Sequence, residues 1–402
     1  MLTTKRKKRA TLWSIVGAFV LILAALVVIH LTTSRTTSST SAAPLGTPLP
    51  SGFAPESASF VSAQTGFVLG ISQCQIDPVG GHFCLTIART QDGGSTWSSI
   101  LTPSTNLAPG PILNGSHNAV SKIEFISVLD GYLYGPDLYA THDGGATWKR
   151  LSLQGIPSTY VVTSLGATRS NTFVIVGSPD AAVPESDYLL SSKGKEDKFA
   201  VQNEPALPAG ASAQISANRY GAVISANNQK TNFYYQADAS MTWTQIQATC
   251  PGGFPSNPVV ALATPLSGTP TPQLVLGCGG NAGAGSEGKT IIESSDLKNF
   301  TPVPAKPPLG GILNGIASPD GKTIAVAASS GATFLYVSLN RGASWQTVLS
   351  DPNFGGSPIH DLGFVTPSQA VAVIGHATKS GARTSTFLMT RDRGLSWQEV
   401  TF

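Results

Sequence analysis

Charge is scarce in this chain: only 12% of its 402 residues are Asp, Glu, Lys or Arg. Six of the 25 basic residues (Lys5, Arg6, Lys7, Lys8, Arg9 and Arg35) lie in the N-terminal segment, leaving 19 against 22 acidic residues in the remainder. A nucleic-acid binder carries a basic stripe, and the remainder, net acidic, has none, so no nucleic-acid partner is expected. Phosphate loops, HExxH helices and calcium loops are absent too, and no cofactor or metal is expected. Cysteine is limited to four residues, spaced too widely for a zinc site. What is plentiful is Gly (42) and Pro (28), which punctuate turns and point to many short strands. An apolar content of 41% is enough for a core.

One uncharged apolar run stands out, Leu12 to Leu31, reading LWSIVGAFVLILAALVVIHL. Twenty helical residues at about 1.5 Å each span the hydrocarbon of a bilayer. The preceding basic cluster stays cytoplasmic by the positive-inside rule. Residues 1–10 therefore read as a cytoplasmic tail, 11–31 as a transmembrane signal-anchor helix and 32–53 as a Ser/Thr/Pro-rich stalk. Residues 54–402 form the exported domain. The expected localisation is the cytoplasmic membrane, single-pass, N-terminus inside. A cleaved signal peptide is the rival, with a shorter apolar region and a small-x-small site; the nearest such site here (Ser41, Ala43) lies well beyond the run.

An octapeptide recurs along the exported part: TQDGGSTW (90–97), THDGGATW (141–148), SLNRGASW (338–345) and TRDRGLSW (390–397), with a weaker copy QADASMTW (236–243). Two segments, SSKGKEDKF (191–199) and SSDLKNF (294–300), have the right place and have lost the core of the pattern. The closing aromatics Trp97, Trp148, Phe199, Trp243, Phe300, Trp345 and Trp397 are separated by 51, 51, 44, 57, 45 and 52 residues. Seven such units suit four short strands each, the size of a propeller blade. The predicted fold is all-β: a seven-bladed β-propeller of four-stranded antiparallel blades, preceded by one N-terminal transmembrane helix.

The side chains explain the pattern. Asp92, Asp143 and Asp392, with Asn340 and Asp238 at the same place, can accept from backbone N–H groups of their own turn. Gly94, Gly145, Gly342 and Gly394 supply backbone angles closed to other residues. Trp97, Trp148, Trp243, Trp345 and Trp397, five of the six tryptophans, can pack between neighbouring blades. Before the boxes, Phe60 precedes Gly66 by six residues, as Phe125 precedes Gly131. SWQEVTF supplies a fourth strand to the last unit, so blades seven and one are expected to meet mainly through side-chain packing, unless residues 52–57 add a strand. Of three cysteine pairings, Cys74–Cys84 and Cys250–Cys278 are both local, and two disulfides are expected in an oxidising compartment.

The octapeptide resembles the Asp-box, or bacterial neuraminidase repeat, which forms the hairpin turn between the third and fourth strands of a blade. Sialidases use it, but their site needs three arginines, a Tyr–Glu pair and an Asp acid. The Arg-Ile-Pro-like motif that supplies the first arginine is absent, and Arg169, Arg219 and Arg383 share no sequence context. The F-x5-G layout followed by the box is similar to the photosystem II stability and assembly factors and their non-photosynthetic relatives, over roughly residues 55–402. That resemblance implies a non-catalytic propeller binding a partner protein, though the Arg-rich patch of those factors has no sequence counterpart here.

Ligand candidates on the inner strands or rim are Glu124, Glu185, Asp187, Asp320, His360 and Asp361. The His360–Asp361 pair and Glu124 stand out, since a glycosidase needs two facing carboxylates. The repeated ILNG (112–115 and 312–315) reads as turn-forming loops before inner strands. The expected function is a binding module for a protein or glycan, of unknown oligomeric state; the alternative is an exported glycoside hydrolase.

Overall fold

A computed structural model describes residues 46–74, 83–108, 118–178, 187–228, 230–251, 259–265, 271–377 and 385–402. The tail, the anchor helix and most of the stalk lie outside the described residues. Among the described residues no helix is long and apolar enough to cross a membrane.

Seven antiparallel sheets follow one another along the chain, each with four strands in sequential order; the first carries a fifth at its outer edge. The chain is a seven-bladed β-propeller. The innermost strands, blades one to seven, are Ala54–Phe60, Lys122–Phe125, Val161–Ala167, Ser212–Asn218, Val259–Ala263, Ile312–Ala317 and Ile359–Phe364. Consecutive blades contact one another through these strands around the ring, except that the innermost strand of blade three meets the second strand of blade two (Gly131–Tyr134), and blade seven returns to blade one. Hydroxyls bridge these strands: Ser57 Oγ accepts from Ile123 N at 3.2 Å, and Ser164 Oγ accepts from Ile215 N at 3.0 Å.

Blade one starts earlier than composition implies. Thr47–Pro48, within the segment read as stalk, pairs antiparallel with Ser98–Ser99, and Phe53 is buried. A second correction concerns ILNG. Residues 312–315 open the inner strand of blade six, with a bulge between Leu313 and Gly315, and are not a loop. The earlier copy lies outside the described residues.

The F-x5-G spacing follows from register. Phe60 sits directly opposite Gly66, and Phe125 opposite Gly131. Each ring lies over the glycine of the partner strand, where any Cβ would collide with it.

Each octapeptide turn closes the same way in blades one, two and seven. Asp92 Oδ1 accepts from Ser95 N and Thr96 N (3.0 and 2.9 Å), while Gly94 N donates to Thr90 Oγ1 at 2.8 Å. Asp143 accepts from Thr147 N and Asp392 from Ser396 N, both at 2.9 Å. Asn340 accepts from Ser344 N at 2.9 Å without a charge. Asp296, in the eroded SSDLKNF segment, still accepts from Lys298 N and Asn299 N (2.9 and 2.8 Å). Asp238 departs from the pattern. Its Oδ1 accepts from Ser170 N of blade three at 3.0 Å, so it ties blades together as well as occupying its own turn.

Seven apolar clusters fill the seven interfaces, and each contains one closing aromatic of the following blade. Trp148 packs between blades one and two, Phe199 between two and three, and Trp243 between three and four. Phe300, Trp345 and Trp397 take the next three, and Trp97 packs between blades seven and one. Trp148 Nε1 and Trp345 Nε1 donate to Leu101 O and Ala305 O, each at 2.9 Å. At the seam Phe402 meets Phe53 at 4.6 Å and Trp97 at 4.9 Å between ring centroids. No strand is exchanged there among the described residues, so side-chain packing closes the ring.

Both disulfides form as expected, with Cα–Cα distances of 5.2 Å (Cys74–Cys84) and 5.5 Å (Cys250–Cys278). The first joins the ends of strands two and three of blade one; the second ties the end of blade four to blade five.

Candidate functional site

The three ligand candidates from sequence come together where blades seven, one and two meet at the axis. Strand 122–125 alternates: Ile123 and Phe125 are buried between blades one and two, while Lys122 and Glu124 share the opposite face and keep some solvent contact. In blade seven a bulge between His360 and Gly363 coincides with a left-handed backbone at Asp361 (φ 48°). A bulge re-aims its side chain, and here it sends the Asp361 carboxylate across the ring. Asp361 Oδ1 lies 2.8 Å from Lys122 Nζ, and Oδ2 accepts from Ala58 N at 3.0 Å. The Ser57 hydroxyl also donates to it. One carboxylate thus joins three blades.

The histidines stand beside it. The rings of His360 and His376 are 4.2 Å apart. His376 Nδ1 is 2.9 Å from Glu56 Oε1, whose other oxygen accepts from Ala377 N at 2.8 Å. Tyr134 lies opposite Lys122 in the sheet.

These neighbours split the two carboxyls. Burial pushes Asp361 up, but Lys122, Ser57 and the Ala58 N–H outweigh it and hold the group ionised, below the usual range. Burial, then the negative charge of Asp361, pushes Glu124 up to about 8. Glu124 is therefore a neutral acid at pH 7, and among the described residues no hydrogen-bond or ion-pair partner holds it. Burial, helped by the charges of Lys122 and His376, lowers His360 to about 4 and keeps it neutral. Burial followed by the charges of Glu124 and Asp361 raises the Tyr134 phenol well above its ordinary value. The arrangement sets the Asp361 carboxylate against the Lys122 ammonium and the Glu56 carboxylate against the His376 ring, with the Glu124 acid and the Tyr134 phenol beside them.

The other candidates do not join the cluster. Asp187 accepts from Ala213 N at 2.8 Å and links blade three to four; burial raises it to about 6. Asp320 accepts from Lys322 N and Thr323 N within a turn of blade six. Glu185 lies outside the described residues. Sequence reading missed Lys122 and Tyr134, paired in one hairpin of blade two, and Glu56 and His376; ring closure brings the two pairs to Asp361 and His360. It also missed Lys289. That lysine is fully buried, and its Nζ donates to the carbonyls of Glu287, Pro308, Leu309 and Gly310 at 2.8 to 3.1 Å. Among the described residues no group of three or more His, Cys, Asp or Glu is placed to hold a metal ion.

Solved propellers overlay on this chain at low sequence identity. A PL25 ulvan lyase bound to -[GlcA(1-4)Rha3S]- matches with a TM-score of 0.51 at 11% identity, over 89% of this chain and 96% of that one. The likeness establishes the fold. A YCF48 structure bound to a D1 peptide gives a TM-score of 0.47 at 17% identity, over 75% of this chain and 82% of its own. The propeller domain of the Trilobed protease from Pyrococcus furiosus gives 0.48 at 7% identity, over 87% and 98%. No protein-family model and no curated protein matches the sequence. Activity has to be argued from the site itself.

Proposed function

We propose that this chain is a membrane-anchored, extracytoplasmic propeller that holds a protein or glycan ligand at the axial meeting point of blades seven, one and two. Glu124 carries the reading. It is a solvent-touching carboxylic acid without a partner, set among groups that three blades fix in place. A neutral acid kept unpaired favours the unfolded chain, and such a residue is retained for a ligand. The Leu12–Leu31 run and its basic flank support the anchor, and the two disulfides support export. A glycan microarray and a peptide array probed with the detergent-solubilised chain test the site. Signals lost in Glu124→Ala and Lys122→Ala alike support it; signals indifferent to both variants refute it. Carbonate-washed membranes test the anchor, which predicts retention of the full chain and release of a chain lacking residues 1–31.

A second reading rests on the same pair. One protonated and one ionised carboxyl, split by their surroundings, is the pattern of acid-assisted glycoside cleavage. Turnover of chromogenic glycosides, abolished by Glu124→Gln and by Asp361→Asn, would favour hydrolysis over binding.

A further inference from the structure

Several arginines of the propeller stitch blades or strands together. Arg150 pairs with Asp137 at 2.9 Å, Arg341 lies 3.2 Å from Glu293, and Arg391 donates to the Gly93 carbonyl. Arg169 and Arg219 are different. They occupy the turns after the innermost strands of blades three and four, whereas the axial cluster is built on the innermost strands of blades seven, one and two. Their guanidinium carbons sit 5.9 and 4.8 Å from the centroid of the Tyr220 ring. Arg219 Nη2 also donates to the Tyr220 hydroxyl at 2.7 Å. Both arginines are exposed, and among the described residues neither pairs with a carboxylate.

The spacing between them is built in. Asp238, one of the acids nearby, accepts from Ser170 N, and its own N–H donates to Tyr220 O at 2.9 Å. This ties the two turns together through the Asp238 carboxylate and backbone. The adjoining turn of blade three carries exposed Lys193, Lys195 and Lys198, and Gly194 N donates to Ser170 O at 2.8 Å. Of the acids in that turn, Asp197 faces His142 at 3.0 Å and Glu196 is exposed. Lys195 is held by Asp130 at 2.8 Å. Lys193, Lys198, Arg169 and Arg219 thus form a ridge that crosses from blade three to blade four.

We propose that this ridge binds the sulfate or phosphate groups of a linear polyanionic polysaccharide. A guanidinium presents a planar fork that matches a tetrahedral oxyanion; Arg169 keeps its fork, and Arg219, with one nitrogen held by the Tyr220 hydroxyl, keeps its remaining N–H groups for a ligand. Two guanidiniums gathered at one ring, one of them held by the Tyr220 hydroxyl, lose less side-chain entropy on binding than two unrestrained ones. A row of cations suits charges repeated along a chain better than a single ion. An anionic lipid surface is the rival, but the neighbouring turns of blades four and two offer just Met241 and Val128 as exposed large apolar side chains among the described residues, little to insert.

Dextran sulfate, unsulfated dextran, inorganic sulfate and phosphatidylglycerol vesicles, offered to the full chain in detergent micelles or nanodiscs, test this. Binding to dextran sulfate alone, weakening as salt rises, is expected. Arg169→Gln with Arg219→Gln should weaken it about tenfold or more. The paired Arg→Lys variant, which keeps charge but loses the fork, should fall in between, and Lys230→Ala should change nothing. Matching melting curves establish that the variants fold. Absence of dextran sulfate binding, equal binding by the double Gln variant, or preference for vesicles or the free ion would overturn the proposal. None of these outcomes bears on the axial site.

Discussion

Glu124→Gln should stabilise the protein at neutral and alkaline pH and do nothing in acid. Glu124 ordinarily titrates at 4.5 and is raised to about 8 in the fold by burial and by Asp361. A carboxyl whose folded pKa exceeds its unfolded one binds more protons when folded, so stability is greatest below the unfolded value. It then falls as pH rises to the folded value, by about 1.4 kcal/mol per pH unit for one group. Across the full interval the ceiling is roughly 5 kcal/mol. Glu124 keeps some solvent contact, and screening reduces this to about 2 kcal/mol. Glutamine preserves shape and a donor but has no proton to lose. Urea unfolding with disulfides intact, at about pH 4.5 and about pH 8, should show no difference from wild type at the first and about 2 kcal/mol of added stability at the second. An equal effect at both pH values, or destabilisation at the higher one, would refute the assignment of Glu124 as the unpaired acid.

Other perturbations probe the frame. Lys289→Met takes the ammonium away from four carbonyls, of which Leu309 O keeps Glu287 N and Gly310 O keeps the Tyr336 hydroxyl; at about 1–3 kcal/mol for each buried group left unsatisfied, its melting temperature should fall more than that of any single surface substitution. Removing Cys250–Cys278 should cost more than removing Cys74–Cys84, roughly 3.6 against 2.7 kcal/mol from the loop-closure relation with separations of 28 and 10 residues; denaturant midpoints of the two double Ala variants give the order. Phe402→Ala removes ring contacts to Phe53, Trp97 and Phe387 at the seam. A loss of about 2 kcal/mol is expected for a half-buried ring, with faster hydrogen exchange confined first to blades seven and one.

What sequence revealed here is what is local. A carboxylate three or four residues from the N–H groups it caps, as Asp92 is from Ser95 and Thr96, writes its geometry into consecutive letters. Phe60 opposite Gly66 is likewise a hairpin register, readable as a spacing. The SSDLKNF segment shows how far letters can erode before geometry does, since Asp296 keeps its turn after the glycines are gone. His360–Asp361 was legible because two ionisable residues interrupt an apolar strand. Its partners were not. Lys122 is 239 residues from Asp361, and Glu56 is 320 from His376. No pattern links such positions until the ring closes. Arg169 and Arg219 were hidden for the same reason, each an ordinary turn residue of its own blade.

The axial groups also oppose one another in their response to acid, which makes the site visible in the pH profile of the whole protein. His360 ordinarily titrates at 6.5 and is lowered to about 4 by burial and by the charges of Lys122 and His376. A base depressed in the fold destabilises it wherever the unfolded chain holds the extra proton, so its contribution improves as pH rises from about 4 to 6.5. Glu124 worsens from about 4.5 to 8. Over the shared interval the two slopes cancel, and above about 6.5 only the loss from Glu124 remains. The wild-type profile should therefore be nearly level and then decline towards about pH 8, whereas Glu124→Gln should rise and then stay level. A ligand that favours the ionised form of Glu124 removes the decline without any mutation and one that hydrogen-bonds the neutral acid extends it to higher pH, so a changed decline in the curve measured with a bound ligand distinguishes occupancy of the axial site from binding anywhere else on the propeller.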